Sequence, residues 1–174
     1  MISDRNRRNR HEQDRFSDEL LSRQRNLKKL KEWGIDPWGG RFEFSHYAYA
    51  LQDELDTPSP EMLKSMEMQV SVAGRLTGMR THGRAVFGDL LDSSGQIQLF
   101  FRFNELGLMS ASEKENSPSQ WELLDAVNIG DWIGVTGTMM RTRAGELTIK
   151  VLDWKILAKS LRPLPEKYHG LQDK

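Results

Sequence analysis

The sequence has no cysteine. Disulfides and thiolate metal sites are therefore excluded, and a reducing cytosolic setting is compatible with the chain. No run of eighteen apolar residues occurs, which argues against a membrane-spanning helix. Histidine is scarce: His11, His46, His82 and His169 lie far apart and read as isolated side chains rather than a metal cluster. A phosphate-cradling Walker loop and a plausible nucleophile triad are missing too. The opening "MISDRNRRNRHEQDRF" lacks the apolar stretch of a signal peptide, and Asp4, Glu12 and Asp14 argue against a transit peptide. Net charge is also absent, at a formal value of +0, yet that zero hides an asymmetry. Residues 1–31 carry ten of the 25 Lys and Arg but only five of the 25 Asp and Glu. A basic end of this kind often seeks phosphate, although a solvated helix face would look the same.

What is present is enough, at 174 residues, for one domain with a proper core and appendages. Residues 1–13 read as a disordered basic tail because residues 1–10 hold almost no apolar side chains. Residues 14–60 read as a helical segment. In it Phe16, Leu20, Leu27, Leu30 and Trp33 recur at helical spacings, and Gly34 followed by Pro37 supplies the stop. A second short helix is expected from Ser45, a good N-cap, to about Leu55, with "DTPSPE" as a linker.

Near Met68 the period switches to two. Residues 61–159 then hold five expected strands: "MQVSVAGRLTGMR", "RAVFGDLLD", "QIQLFFRF", "GDWIGVTGTMMR" and "GELTIKVLDWKILA". Turns at "THG", "SSG" and "TRAG" join them, Gly74 is an expected bend or bulge, and "QWELLDAV" is a short helix between strands three and four. A meander of three strands, a helix and a closing hairpin is the order of the OB-fold, a five-stranded Greek-key barrel. The expected class is thus mainly β with flanking N-terminal helices. An SH3-like barrel or an open sandwich is the alternative.

On strand two, alternation puts Val86, Gly88 and Leu90 on one face and Ala85, Phe87 and Asp89 on the other. Phe87 is then either core on a two-sided sheet or a platform for something flat. OB barrels bind single strands on the face of strands two and three, where rings stack bases and cations meet phosphates. Phe87 could stack, Gln98 could offer a donor and an acceptor to a base edge, and Arg80 and Arg84 flank the first turn. Glu146 follows the last turn. A carboxylate in a polyanion site makes sense only if it accepts from a base N–H. Read plainly, Gln98 is an ordinary strand position and Glu146 an ordinary hairpin residue.

Three segments carry a resemblance: "RNLKKLKEWGIDPW", "SVAGRLTGMRTHGRAVFGDLLDSSGQIQLFFR" and "NIGDWIGVTGTMMRTRAGELTIKVLDWKILAKSLRPLPEKYHGLQDK". Together they resemble the N-terminal part of bacterial-type lysyl-tRNA synthetases over roughly residues 20–174. The barrel motifs are shared with the aspartyl and asparaginyl enzymes, whereas "SLRPLPEKYHGLQD" points to the lysyl enzyme. The resemblance implies that the barrel reads an anticodon with a central uridine. Phe87 would stack on that base, Arg80 and Gln98 would contact it, and Glu146 would recognise its edge. Arg84 stands where lysine is usual, Val86 where serine is usual, and Ala144 where threonine is usual. It further implies that the N-terminal helix lies against tRNA, making Arg23, Arg25, Lys28 and Lys29 candidates for phosphate contact, with Arg84, Arg141 and Arg143 beside the site.

In that family ATP, Mg and lysine are handled by a separate catalytic domain, which residues 160–174 would lead towards. No segment here resembles that domain's ATP-binding motifs, so this chain alone is expected to need no cofactor and to aminoacylate nothing. ATP–pyrophosphate exchange by the purified 174 residues would overturn that expectation. Expected partners are a lysine-type tRNA and, in the full-length family, a second copy of the enzyme; the setting is cytoplasmic. The anticodon-binding part of such an enzyme is one use of these residues. A free-standing RNA-binding OB protein derived from it is another, and a module that has lost RNA binding a third.

Overall fold

The computed structural model describes residues 2–56, 58–107 and 118–162, with backbone alone for residues 2–13. The expected connector therefore lies outside the described residues from 163 onward, as does most of "SASEKENSPS". The described chain runs α1 (Ile2–Glu32), α2 (Ala48–Glu54), α3 (Pro60–Met66), β1 (Gln69–His82), β2 (Ala85–Leu91) and β3 (Gln96–Arg102). A 3-10 turn η1 (Glu122–Ala126), β4 (Trp132–Arg141) and β5 (Leu147–Ala158) follow.

The strands close into a barrel in the order β1-β2-β3-β5-β4. β1 makes closure possible by serving two neighbours. Its first half, Gln69–Arg75, pairs with β4 and its second half, from Arg75, pairs with β2. β3 and β5 run parallel, with Gln98 opposite Thr148. All other pairings are antiparallel. This is the expected five-stranded Greek-key barrel. Alternation fills it: Val70, Val72, Leu76, Val86, Leu90, Ile97, Leu99, Phe101, Val135, Ile149 and Val151 are all buried in one core. Trp154 closes the core against Phe101, ring centroids 5.9 Å apart.

Gly74 is not the bulge. It pairs regularly with Ile133 and Cβ-less backbone is needed because the Leu91 carbonyl oxygen would sit 2.6 Å from any added Cβ. The irregularity of β1 falls later, between Leu76 and Gly78, and β4 has two, at Trp132/Ile133 and at Thr136/Gly137.

The helices depart from expectation in three ways. First, helical backbone begins at Ile2 rather than at residue 14. Arg, Gln and Glu favour helix, so a polar stretch continuous with a docked helix extends it. The apolar stripe is less used than its spacing suggests: Leu30 is fully buried, but Phe16 is exposed. The stop is as read. Gly34 has φ of 71°, its N–H donates to the Lys31 carbonyl, and the Ile35 N–H donates to that of Leu30, a Schellman closure.

Second, Ser45 does not cap α2. It bridges to Ser71 of β1, whose carbonyl accepts from the Ser45 N–H at 2.9 Å. The α2 N-terminus is capped from the β2–β3 turn instead. The Ala48 N–H donates to Asp92 Oδ2 at 2.7 Å and the Tyr49 N–H to Ser94 Oγ at 3.0 Å. Burial works to raise the Asp92 pKa, but hydrogen bonds from Ala48, Ser94 and Gly95 together hold it below the usual carboxylate value. Third, the segment read as a linker leads into α3. Ser59 accepts from the Met62 N–H, Pro60 occupies the first turn and Leu63 is buried. Ser-Pro-Glu is an N-cap, a proline at N1 and an acid in the first turn.

Candidate nucleic-acid interface

The four expected base-contacting residues converge on one cup. Arg80, Phe87, Gln98 and Glu146 line a cavity of about 500 Å³ together with Phe100, Met140, Thr142, Arg143 and Ala144. The pairing of the strands explains the convergence. Arg80 of β1 faces Phe87 of β2, Phe87 faces Phe100 of β3, and Gln98 faces Thr148 of β5. The β4–β5 turn then brings Thr142, Arg143 and Glu146 over the rim.

Phe87 is half-buried and lies outside the apolar core, with Val86 and Gly88 turned inward instead. Its ring tilts 41° against Phe100 at 4.9 Å and meets His82 edge-on at 6.2 Å. The open question of the sequence, core or platform, resolves towards a wall of the cup. Gln98 Nε2 donates to Glu146 Oε2 at 2.7 Å, and Thr148 Oγ donates to Gln98 Oε1 at 2.9 Å. Glu146 itself is exposed, while Gln98 is 7% exposed and Thr148 fully buried.

Arg80 is clamped. Its two terminal nitrogens donate to both Asp89 oxygens at 3.0 and 3.1 Å, a bidentate pair that fixes the plane of the guanidinium. Apolar walls, a clamped cation, an amide and a carboxylate make a site for a flat, partly polar group. Phe100 was missed by the sequence reading, although alternation puts it on the face of Gln98. Asp89 was placed beside Phe87 but given no role.

The proposed phosphate contacts divide. Arg25, Lys28, Arg84 and Arg143 are exposed. Lys28 pairs loosely with Glu32 at 3.6 Å, Lys29 lies over Trp33 and Arg84 over Phe103. Arg23 and Arg141 belong to the fold instead. Arg23 is 1% exposed, and its nitrogens donate to the Ile129 and Ser160 carbonyls and to Glu19. Arg141 donates to the carbonyls of Leu55, Asp56, Pro58 and Gly145, stapling the α2–α3 segment to the last hairpin. Both spend their guanidinium N–H groups on backbone carbonyls within the fold, so neither is turned out to meet a phosphate. Spacing along a helix or strand identified them as basic without revealing which way they turn.

Among the described residues no group of His, Cys, Asp and Glu is placed to hold a metal ion. No described helix is long and apolar enough to cross a membrane.

A closed five-stranded barrel with aromatic, cationic, amide and carboxylate side chains gathered beside its β2–β3 face defines the class: a nucleic-acid-binding OB-fold. A family model described as an OB-fold nucleic acid binding domain, of the tRNA anticodon type, matches residues 70–157. The chain belongs to that tRNA anticodon-binding family. It is also 40% identical over 156 residues to the lysine-tRNA ligase of Enterococcus faecalis, covering 90% of this chain and 29% of that protein. The lysine-tRNA ligase of Bacillus subtilis is 36% identical over 163 residues, with 94% and 31% covered. That of Carboxydothermus hydrogenoformans is 41% identical over 147 residues, with 84% and 27% covered. The chain thus spans about 30% of the length of these relatives and is homologous to their N-terminal region.

Proposed function

We propose that the cup holds the central uridine of the anticodon of a lysine-type tRNA. The observation that carries this reading is the meeting of Arg80, Phe87 and Gln98, from three strands, with Glu146 of the β4–β5 turn on one cavity. Uracil presents acceptor, donor, acceptor along its Watson–Crick edge. The exposed carboxylate of Glu146 accepts from N3–H, while the free N–H groups of Gln98 and Arg80 donate to the flanking carbonyls. Cytosine would set a lone pair against that carboxylate and an amine against the donors. Phe87 supplies the stacking face, which any base could use. Stacking therefore gives affinity, and the polar edge gives the choice of base.

Arg25, Lys28, Lys29, Arg84 and Arg143 supply the cationic surface for the backbone, making affinity fall as salt rises. Binding here calls on no cofactor. In a full-length ligase, ATP and Mg would serve a separate catalytic domain for aminoacylation. Two copies would pair with the barrel region contributing, and the setting would be cytoplasmic.

The test is Glu146→Gln with two anticodon stem-loops that differ only by U or C at the centre. The preference for U is expected to fall about tenfold, within the ~1–3 kcal/mol of discrimination that a well-placed base-edge contact carries. Affinity for the U loop should change less. An equal loss for both loops would remove Glu146 from base reading.

A further inference from the structure

Outside the polar edge itself, one buried group is committed to it. Thr148 is fully buried on β5, directly opposite Gln98 in the parallel β3–β5 ladder and two residues after Glu146. Its neighbours Ile149 and Val151 face the apolar core. Thr148 instead turns its hydroxyl to Gln98 Oε1 at 2.9 Å, with the Glu146 carbonyl at 3.1 Å.

We infer that Thr148 is a positioning residue for base choice: its hydroxyl fixes which end of the Gln98 amide faces the cup. Proton supply decides the orientation of the amide. A carboxylate has no proton to give, so Gln98 Nε2 must face Glu146, and it does, at 2.7 Å. Oε1 is then turned to the hydroxyl, whose one proton goes to it at 2.9 Å rather than to the Glu146 carbonyl. That carbonyl already accepts from the Thr142 N–H at 3.0 Å. Gln98 is 7% exposed, so water offers Oε1 little alternative. Reversing the amide would set Oε1 against the Glu146 carboxylate and leave it without a donor. The hydroxyl could then only accept from Nε2 and turn its proton to the Glu146 carbonyl, which the Thr142 N–H already serves at 3.0 Å. Without the hydroxyl, only Glu146 resists reversal, and Glu146 is the group a base N–H would engage. A reversed amide offers the cup an acceptor, which suits the amine of cytosine rather than a carbonyl of uracil. Thr148 thus acts through Gln98 and touches no base.

This inference rests on the uridine reading, and one titration separates the two. Wild type, Thr148→Val and Thr148→Ser are each titrated with the U and C stem-loops, and their folding is followed by urea denaturation. Valine keeps the volume and removes the hydroxyl; serine keeps the hydroxyl. The valine variant is expected to lose about five- to tenfold of the preference for U, the scale of one hydrogen bond. The serine variant is expected to stay within about twofold of wild type, on the same basis. Thr148→Ala replaces the valine if that variant does not fold. A valine variant with wild-type preference, or one that weakens for both loops alike, overturns the inference and leaves the uridine reading standing. So does a serine variant that loses as much as valine. A wild type that binds both loops equally overturns both.

Discussion

Phe87→Ala is expected to weaken binding of a U-centred anticodon stem-loop by roughly 1–3 kcal/mol, about five- to 150-fold in Kd. The size follows from the place of the ring. Phe87 stands half-buried in the wall of the cup, backed by Phe100 at 4.9 Å. A base laid on it gains a surface that is already oriented and partly dry, so little ordering cost opposes the contact. The ring sits outside the apolar core, so its loss should cost affinity much more than stability. Phe87→Leu separates the two contributions to affinity, since leucine keeps apolar volume but offers no flat face. Isothermal titration at one salt concentration reads the affinity, and a salt series reads the phosphate contacts. The salt slope should stay as in wild type, because the alanine removes no cation. Unchanged affinity would return the ring to the role of a sheet-surface filler, and the cup would lose its stacking floor.

The barrel was legible because its strands obey one period. Val86, Gly88 and Leu90 against Ala85, Phe87 and Asp89 is a two-state pattern, and the fold could satisfy it only one way around. The cup was legible in its parts for the same reason: residues two apart on a strand share a face. Gathering Arg80, Phe87 and Gln98 needed only the meander. Bringing Glu146 to them needed the parallel β3–β5 pairing, which the Greek-key order implies.

What stayed hidden depends on the direction of long side chains and on caps supplied from afar. Arg23 and Arg141 look like surface cations in sequence, yet each reaches inward to carbonyls more than eighty residues away along the chain. Ser45 has the side chain of an N-cap, but Asp92 and Ser94 reached the helix first, and no local rule could show that. The α3 start is different. Its Ser59-Pro60-Glu61 signal was present and local, and was outweighed by two prolines read as a linker.

The largest expected loss of stability lies away from the cup, in a buried ion pair. Lys159 and Asp131 have fully buried side chains, with Lys159 Nζ on Asp131 Oδ2 at 2.5 Å. The ammonium also donates to the Ala126 carbonyl and Asn128 Oδ1, while Asp131 accepts from the Asn128 and Ser160 N–H groups. Asn26 and Arg23 of α1 join the same knot through Asn128 and the Ile129 and Ser160 carbonyls. The knot therefore fixes α1, with its basic side chains, to the end of β5. Asp131→Ala leaves a buried cation with neutral partners only and orphans two N–H groups. Its expected cost is ~3–5 kcal/mol, a large part of the roughly 5–15 kcal/mol that holds a domain together. Urea denaturation at neutral pH measures it, and a loss below about 1 kcal/mol would show the pair to be replaceable by water. The pH dependence has a definite sign. Burial lowers the Lys159 pKa below 10.5, the Asp131 bond opposes that, and the nearby Arg23 charge reinforces it. The unfolded chain then binds this proton more tightly than the folded one. From this group, stability rises with pH across the window between the lowered value and 10.5. Lys159→Met should remove that rise while leaving the rest of the alkaline profile in place. An unaltered profile would mean that the ammonium stays as readily protonated in the fold as in water.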